Sequence, residues 1–264
     1  MSAHASTAVR AGAQPRQLAE STKLRLSRLA VPLVLALVWV IADRASDLVP
    51  SIGATVSTLV EGFREGWIYD PLWNTGQAVL GGFVIATVAG LPFGVAMGRV
   101  RYLGRLFDPV VDGLFAVPRI ILYPVMLALF GVGVGAKLWM AVISAFFPIV
   151  MNTAAGMREV NPTLVKLGRS MSASRLQMVR KLYIPAATPS VMVGLRIGFS
   201  ISFIAVIIAE LFATPKGLGR ILDQAYGLQQ LPRMFAVVLL IVLIAFFVNL
   251  ALWSLERRLR ATVA

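Results

Sequence analysis

Residues 71–98 read PLWNTGQAVLGGFVIATVAGLPFGVAMG, 28 consecutive positions without a charged side chain. A bilayer core about 30 Å thick is crossed by about 20 helical residues rising about 1.5 Å each. Leu138–Met157 (20 residues) and Met234–Leu255 (22 residues) are uncharged runs of the same kind. Working outward, the whole 264-residue chain is 58% hydrophobic and 14% charged, with a mean hydropathy of +0.80. A soluble domain carries roughly 25% charged residues. The sequence therefore reads as an all-α, polytopic membrane protein.

The charges between the apolar runs set the topology. Residues 1–28 form a basic tail (Arg10, Arg16, Lys23, Arg25 and Arg28 against Glu20), and 43–70 carry five acids against Arg44 and Arg64. The next loop has Arg99, Arg101 and Arg105 against Asp108; then 158–185 holds six basic residues against Glu159, and Arg257, Arg258 and Arg260 follow Glu256. Basic loops alternate with acidic or nearly balanced ones, which places both termini in the cytoplasm. About six spans are expected, near 24–42, 72–98, 109–130, 137–157, 187–211 and 233–255. The first apolar run, Leu29–Ala42, also fits a signal-peptide core. It is read as an uncleaved helix because Asp43 and Arg44 interrupt any small-x-small cleavage site. The expected domains are a tail at 1–28, a membrane domain at 29–258 with a cytoplasmic loop at 158–185, and a tail at 259–264.

A net charge of +13 could suggest nucleic acid, but its loop-by-loop distribution belongs to a bilayer instead. The chain has no cysteine and one histidine, His4, in the tail. Disulfides, thiol nucleophiles and the usual acid–base residue are thereby removed, and no catalytic, cofactor or metal residues are assigned. Gly82, Ala86, Gly90, Gly94 and Gly98 fall at every fourth position of the second expected span. Such a stripe permits close helix packing where lipid gives no hydrophobic drive; lining a pore is the alternative.

The most informative stretch is NPTLVKLGRSMSASRLQMVRKLYIP, Asn161–Pro185. Asn161 before Pro162 is a helix start. Leu164, Leu167, Gly168 and Met171 make one apolar ridge, and Ser172 or Ser174 can cap a second helix on which Leu176, Val179 and Tyr183 share a face. Pro185 is expected to end that element. A short helix with apolar knobs and basic flanks suits a groove on a partner protein, or alternatively an anionic lipid surface.

This stretch resembles the coupling-helix motif of the membrane subunits of binding-protein-dependent ABC importers: Glu-Ala-Ala, three residues, Gly, nine residues, Ile, one residue, Leu-Pro. The register puts Lys166, Leu167 and Gly168 at Glu-Ala-Ala, Ser172 at the Gly, Leu182 at the Ile and Ile184-Pro185 at Leu-Pro. Lys166 reverses the usual charge, and Ser172 stands where a glycine permits a tight turn. Leu48-Val49-Pro50-Ser51, Ala116–Arg119, Gly131–Gly133, Phe147–Thr153, Val193–Arg196 and Ile208-Ala209-Glu210 resemble the subgroup importing sulfonate, taurine, nitrate or bicarbonate. The resemblance covers about residues 30–258.

It implies a type I ABC importer permease fold in the bacterial inner membrane and a transport subunit rather than an enzyme. The implied partners are ATP-binding cassette ATPase subunits, an extracytoplasmic solute-binding protein and a second permease copy, in a homodimer. ATP and Mg would sit in the ATPase, since this chain has no Gly-x-x-x-x-Gly-Lys-Ser/Thr loop. The resemblance assigns ATPase coupling to Leu164, Lys166, Leu167, Gly168, Met171, Ser172, Ala173 and Arg175.

Charges within spans are costly and mark pathways or pairs. Arg119 is a candidate to meet an anionic solute, or to pair with Asp112 at i, i+7. Arg196 and Glu210, fourteen positions apart on one helix, must each contact another helix, as structural or gating residues. Two rivals are an ion-gradient-driven secondary transporter, which calls for mid-membrane acids or inverted repeats, and a membrane enzyme, which calls for clustered His, Asp or Glu. For the first only Asp112 and Glu210 are available and no repeat is seen; for the second no such cluster is present.

Overall fold

The structure, a computed structural model, describes residue 30 and residues 32–263. The expected tail 1–28 and the start of the first expected span lie outside the described residues. Every element is helical: α1 (32–45), α2 (Ile52–Glu65), α3 (Tyr69–Arg99), α4 (Arg101–Ala116), α5 (Tyr123–Phe130), α6 (Val134–Arg158), α7 (Pro162–Ser170), α8 (Arg175–Met178), α9 (Ile184–Ala213), α10 (Leu218–Gly227) and α11 (Leu231–Val263). Residues up to Ser57 form one unit, in which the Trp39 indole N–H donates to the Pro50 carbonyl at 3.0 Å and the Ser51 hydroxyl caps α2 through the Ala54 N–H.

The second unit starts at Thr58 and is organised around α6, which packs between α3 and α9. The small-residue stripe of α3 is the reason these backbones meet. A Cβ on Gly82 would stand 2.6 Å from the Leu138 carbonyl oxygen, and one on Gly98 would stand 2.7 Å from that of Ala154. The opposite face of α3, with Leu80, Val84 and Val88, and Val242, Phe246, Phe247 and Leu250 of α11 stay exposed. Long apolar helices that leave such surface uncovered are built for lipid.

The expected six spans are corrected in detail. Four helices among the described residues are long and apolar enough to cross a membrane: Tyr69–Arg99, Val134–Arg158, Leu176–Phe212 and Leu231–Arg258. A fifth span would be the pair Arg101–Ala116 and Arg119–Phe130, bent by 86°. The third expected span, 109–130, is therefore broken. Val117 is held extended (φ −68°, ψ 128°) ahead of Pro118, whose ring disfavours helical geometry at the preceding residue. A 3₁₀ turn over Arg119–Leu122 and α5 follow. The expected loop at 99–108 is also helical: only Val100 separates α3 from α4, which presents Arg101 and Arg105 on its polar side.

Three further boundaries move. The external loop expected at 212–232 contains α10. α11 runs to Val263, so the tail expected at 259 continues a helix. Pro185 does not end the second arm of the loop 158–185, because α8 continues into α9 through a π-helical turn over Val179–Tyr183. There the Ile184 N–H bonds to the Val179 carbonyl, five residues back, so Pro185 enters at the first turn of α9, where its missing N–H is tolerated.

Candidate coupling loop and intramembrane charge sites

The loop 159–183 is a pair of short arms with well-made ends. The Asn161 carboxamide oxygen accepts from the Thr163 N–H at 2.8 Å, and Pro162 occupies the first turn of α7. At the far end, Ala173 N–H bonds to the Gly168 carbonyl and Ser172 N–H to that of Arg169, both at 3.0 Å. This pairing is the Schellman C-cap, which needs a left-handed residue between the two. Ser172 supplies it at φ 54°, where the family motif has glycine. Ser174, not Ser172, caps the second arm: its hydroxyl accepts from the Gln177 N–H, while the Gln177 side chain accepts from the Ser174 N–H at 2.8 Å. That reciprocal pair is a capping box.

These caps fix which faces are free. Met178, Tyr183, Met157 and Val160 form a buried cluster under the loop, with Val165 and Ala173 against it. The shared face expected for Leu176, Val179 and Tyr183 is corrected: Tyr183 is buried while Leu176 and Val179 are exposed. The π turn advances the register, so that Met178 and Tyr183, five apart, point inward together. Leu164, Leu167 and Met171 form the predicted ridge and remain 47%, 54% and 74% exposed. With Gly168, Met178 and Leu182 they line a groove of about 400 Å³. A Cβ on Gly168 would lie 2.5 Å from the Met178 sulfur, so the methionine side chain would have to move aside. Lys166 and Ser172 are exposed and Ala173 half-buried; the Arg175 side chain lies outside the described residues.

The three intramembrane candidates are separate sites. Arg119, in the turn after the break, donates to the Phe115 carbonyl at 3.1 Å and lies over the Phe115 ring at 4.6 Å. Its Nε is buried without a hydrogen-bond partner. Asp112 is exposed on α4, and no ion pair joins it to Arg119 among the described residues. Arg119 borders a cavity of about 200 Å³ whose other walls include Met140, Ile201, Ile204 and Ile208. Arg196 reaches Glu256 on α11 at 3.3 Å.

Glu210 is the centre of a buried network that sequence reading left half-seen. Lys137 Nζ lies 2.8 Å from Glu210 Oε1 and also donates to the Lys216 carbonyl at 3.0 Å. The Thr75 hydroxyl donates to Glu210 (2.9 Å to Oε2) and accepts from the Leu218 N–H at 3.0 Å. The Gly219 N–H completes the set at 3.0 Å from Oε2. Lys137, Glu210 and Thr75 are 1%, 0% and 2% exposed. Gly217, at φ 131°, packs against the Glu210 carboxyl so closely that a Cβ would overlap it. The network joins α3, α6 and α9 and pins the start of α10. Sequence reading gave Glu210 a contact on another helix but named no partner, and Lys137 stands at the first position of the expected span 137–157. One lysine beside an apolar run reads as a span end, and its partner lies 73 residues away.

The candidates thus comprise a capped, exposed apolar ridge on α7 and buried or half-buried charges within the bundle. Among the described residues no cluster of His, Cys, Asp and Glu could hold a metal. The family model for the binding-protein-dependent transport system inner membrane component matches residues 90–261. An ABC transporter permease protein of Methanocaldococcus jannaschii is 28% identical over 89% of this chain and 91% of its own length. The taurine transport system permease protein TauC of Escherichia coli is 29% identical over 75% of this chain and 72% of its own. In fold, the chain is similar to the solved inward-facing MetNI methionine ABC transporter, with a TM-score of 0.60 at 23% identity, covering 71% of this chain and 93% of that one. Its architecture is that of type I importer permeases, and the chain belongs to the binding-protein-dependent transport system inner membrane components, the permease subunits of ABC transporters.

Proposed function

We propose that this chain forms half of a homodimeric pathway for a small anionic solute of the sulfonate, taurine or nitrate kind, powered by two separate ATPase subunits. The observation that carries the reading is the α7 ridge. Leu164, Leu167 and Met171 are apolar, exposed and held rigid by a Schellman turn and a capping box. An exposed apolar ridge of this kind marks a surface that a partner covers. ATPase closure would push the two arms, and differential contacts in the two states would switch the bundle between inward- and outward-facing forms. An extracytoplasmic binding protein would deliver the solute to the opposite face.

Arg119 supports the anionic class, because its guanidinium borders a small cavity and its Nε has no partner. The taurine named for the Escherichia coli relative carries a sulfonate group, which suits a guanidinium. The test is to purify the chain with candidate ATPase subunits in nanodiscs, and to compare it with Leu167→Asp/Met171→Asp. A complex of two permeases and two ATPases, lost in the variant, is the expected result. Retention of the full complex by the variant would refute docking through α7.

A further inference from the structure

A second surface lies on the other side of α7. A cleft of about 600 Å³ is bordered by Arg99, Arg101, Arg105, Arg158, Lys166 and Arg169, with Asp108 as the only carboxylate among the described residues that line it. Asp108 pairs with Arg158 at 2.8 Å, and Arg99 stacks on the Tyr183 ring at 3.5 Å. Arg101, Arg105, Lys166 and Arg169 have no ion-pair partner among the described residues. Four like charges around one cavity repel each other, so the arrangement calls for an anion. Gly104 lets α4 lie close against α3: a Cβ there would stand 3.0 Å from the Met97 carbonyl oxygen and 2.9 Å from an Arg158 guanidinium nitrogen.

The cleft's level in the fold says which anion. Arg99 is the last residue of α3, Arg158 the last of α6 and Arg101 the first of α4. Charges at the ends of spanning helices lie at the depth of lipid headgroups. Beside the cleft, Tyr102, Leu106, Val110 and Leu114 recur every four residues on α4 and are all exposed, Tyr102 by 73%. They form an uncovered apolar stripe leading away from Arg101 and Arg105. A phosphate in the cleft with acyl chains along this stripe satisfies both features together. An acidic protein segment or a free anion would leave the stripe bare.

We propose that this cleft binds the phosphate of an anionic lipid headgroup. The inference stands apart from which solute is carried and from whether α7 docks an ATPase. The test uses the purified full chain in neutral detergent, titrated with fluorescent cardiolipin, phosphatidylglycerol and phosphatidylcholine, with excess inorganic phosphate as competitor. Saturable binding of the two anionic lipids and not of phosphatidylcholine is expected. Arg101→Gln/Arg105→Gln should weaken it about 30-fold, at about 1 kcal/mol per basic residue near the headgroups. Arg64→Gln/Arg220→Gln should leave it unchanged. Arg101→Lys/Arg105→Lys should keep most of the binding, which guards against a folding defect. Displacement by inorganic phosphate would support a site open to soluble phosphate as well, and no displacement would support one that lipid alone fills. Equal binding of phosphatidylcholine, or cardiolipin binding unchanged by Arg101→Gln/Arg105→Gln, would overturn the proposal. So would loss of ATPase binding in that variant with lipid binding intact, since the cleft would then be a protein surface.

Discussion

Removing one member of the Lys137–Glu210 pair should be among the most damaging single changes in the protein. Both side chains are fully buried, with the carboxylate accepting from Lys137, Thr75 and Gly219. Glu210→Gln keeps the shape and most acceptors but strands a buried ammonium; Lys137→Met strands a buried carboxylate. Leaving one charge uncompensated costs about 3–5 kcal/mol. For a chain of this size about 1 kcal/mol corresponds to roughly 2–4 °C in Tm, so each single variant should lose roughly 6–20 °C. The double variant Lys137→Met/Glu210→Gln has no stranded charge, and its glutamine still accepts from the Gly219 N–H. It should recover to within about 2 kcal/mol of the parent, giving a coupling energy of about 4 kcal/mol or more. The assay is thermal unfolding of all four proteins in one detergent, read as a double-mutant cycle. Single variants within about 1 kcal/mol of the parent, or a double variant equal to the sum of the singles, would refute the claim that this pair holds α10 to α3, α6 and α9.

Other consequences follow from particular contacts. Ser172→Gly should stabilise the loop by up to about 1 kcal/mol, because a left-handed non-glycine residue costs roughly 1–2 kcal/mol and glycine returns part of that as entropy. Slower amide exchange over 168–173 would register it, whereas Ser172→Val should speed exchange. Gly94→Val should lower Tm and loosen α3 from α6, since even a Cβ would stand 2.8 Å from the Val150 carbonyl oxygen; an unchanged Tm would argue against that approach. Arg196→Glu should be rescued by Glu256→Arg in thermal unfolding if their 3.3 Å pair ties α9 to α11.

Much of this fold is written in local pattern. Uncharged runs located α3, α6 and α11, the four-residue stripe of α3 foretold a close helix contact that α6 makes, and Asn161-Pro162 marked the start of α7. The misplaced features obey a different logic. Arg101, Arg105 and Asp108 look like loop charges because they occur together, yet an amphipathic helix spreads them along one side. The break at Val117-Pro118 was legible in the proline itself but was overridden by the length of the apolar run around it. Pro185 reads as a helix end unless a π turn precedes it, and nothing in VRKLY announces one. Lys137 and Glu210 form a pair only in three dimensions. The partners of the intramembrane charges therefore required the packed bundle, whereas the exposed α7 ridge did not.

The central claim is that ATP hydrolysed elsewhere drives this bundle through α7. Its most direct test is solute uptake by proteoliposomes holding the chain with its ATPase and binding protein, with taurine as the probe and proton and sodium gradients collapsed. Uptake that requires ATP on the side of α7 and vanishes in Leu167→Asp/Met171→Asp is the predicted result. Uptake that follows an ion gradient without ATP, and survives that substitution, would contradict the account.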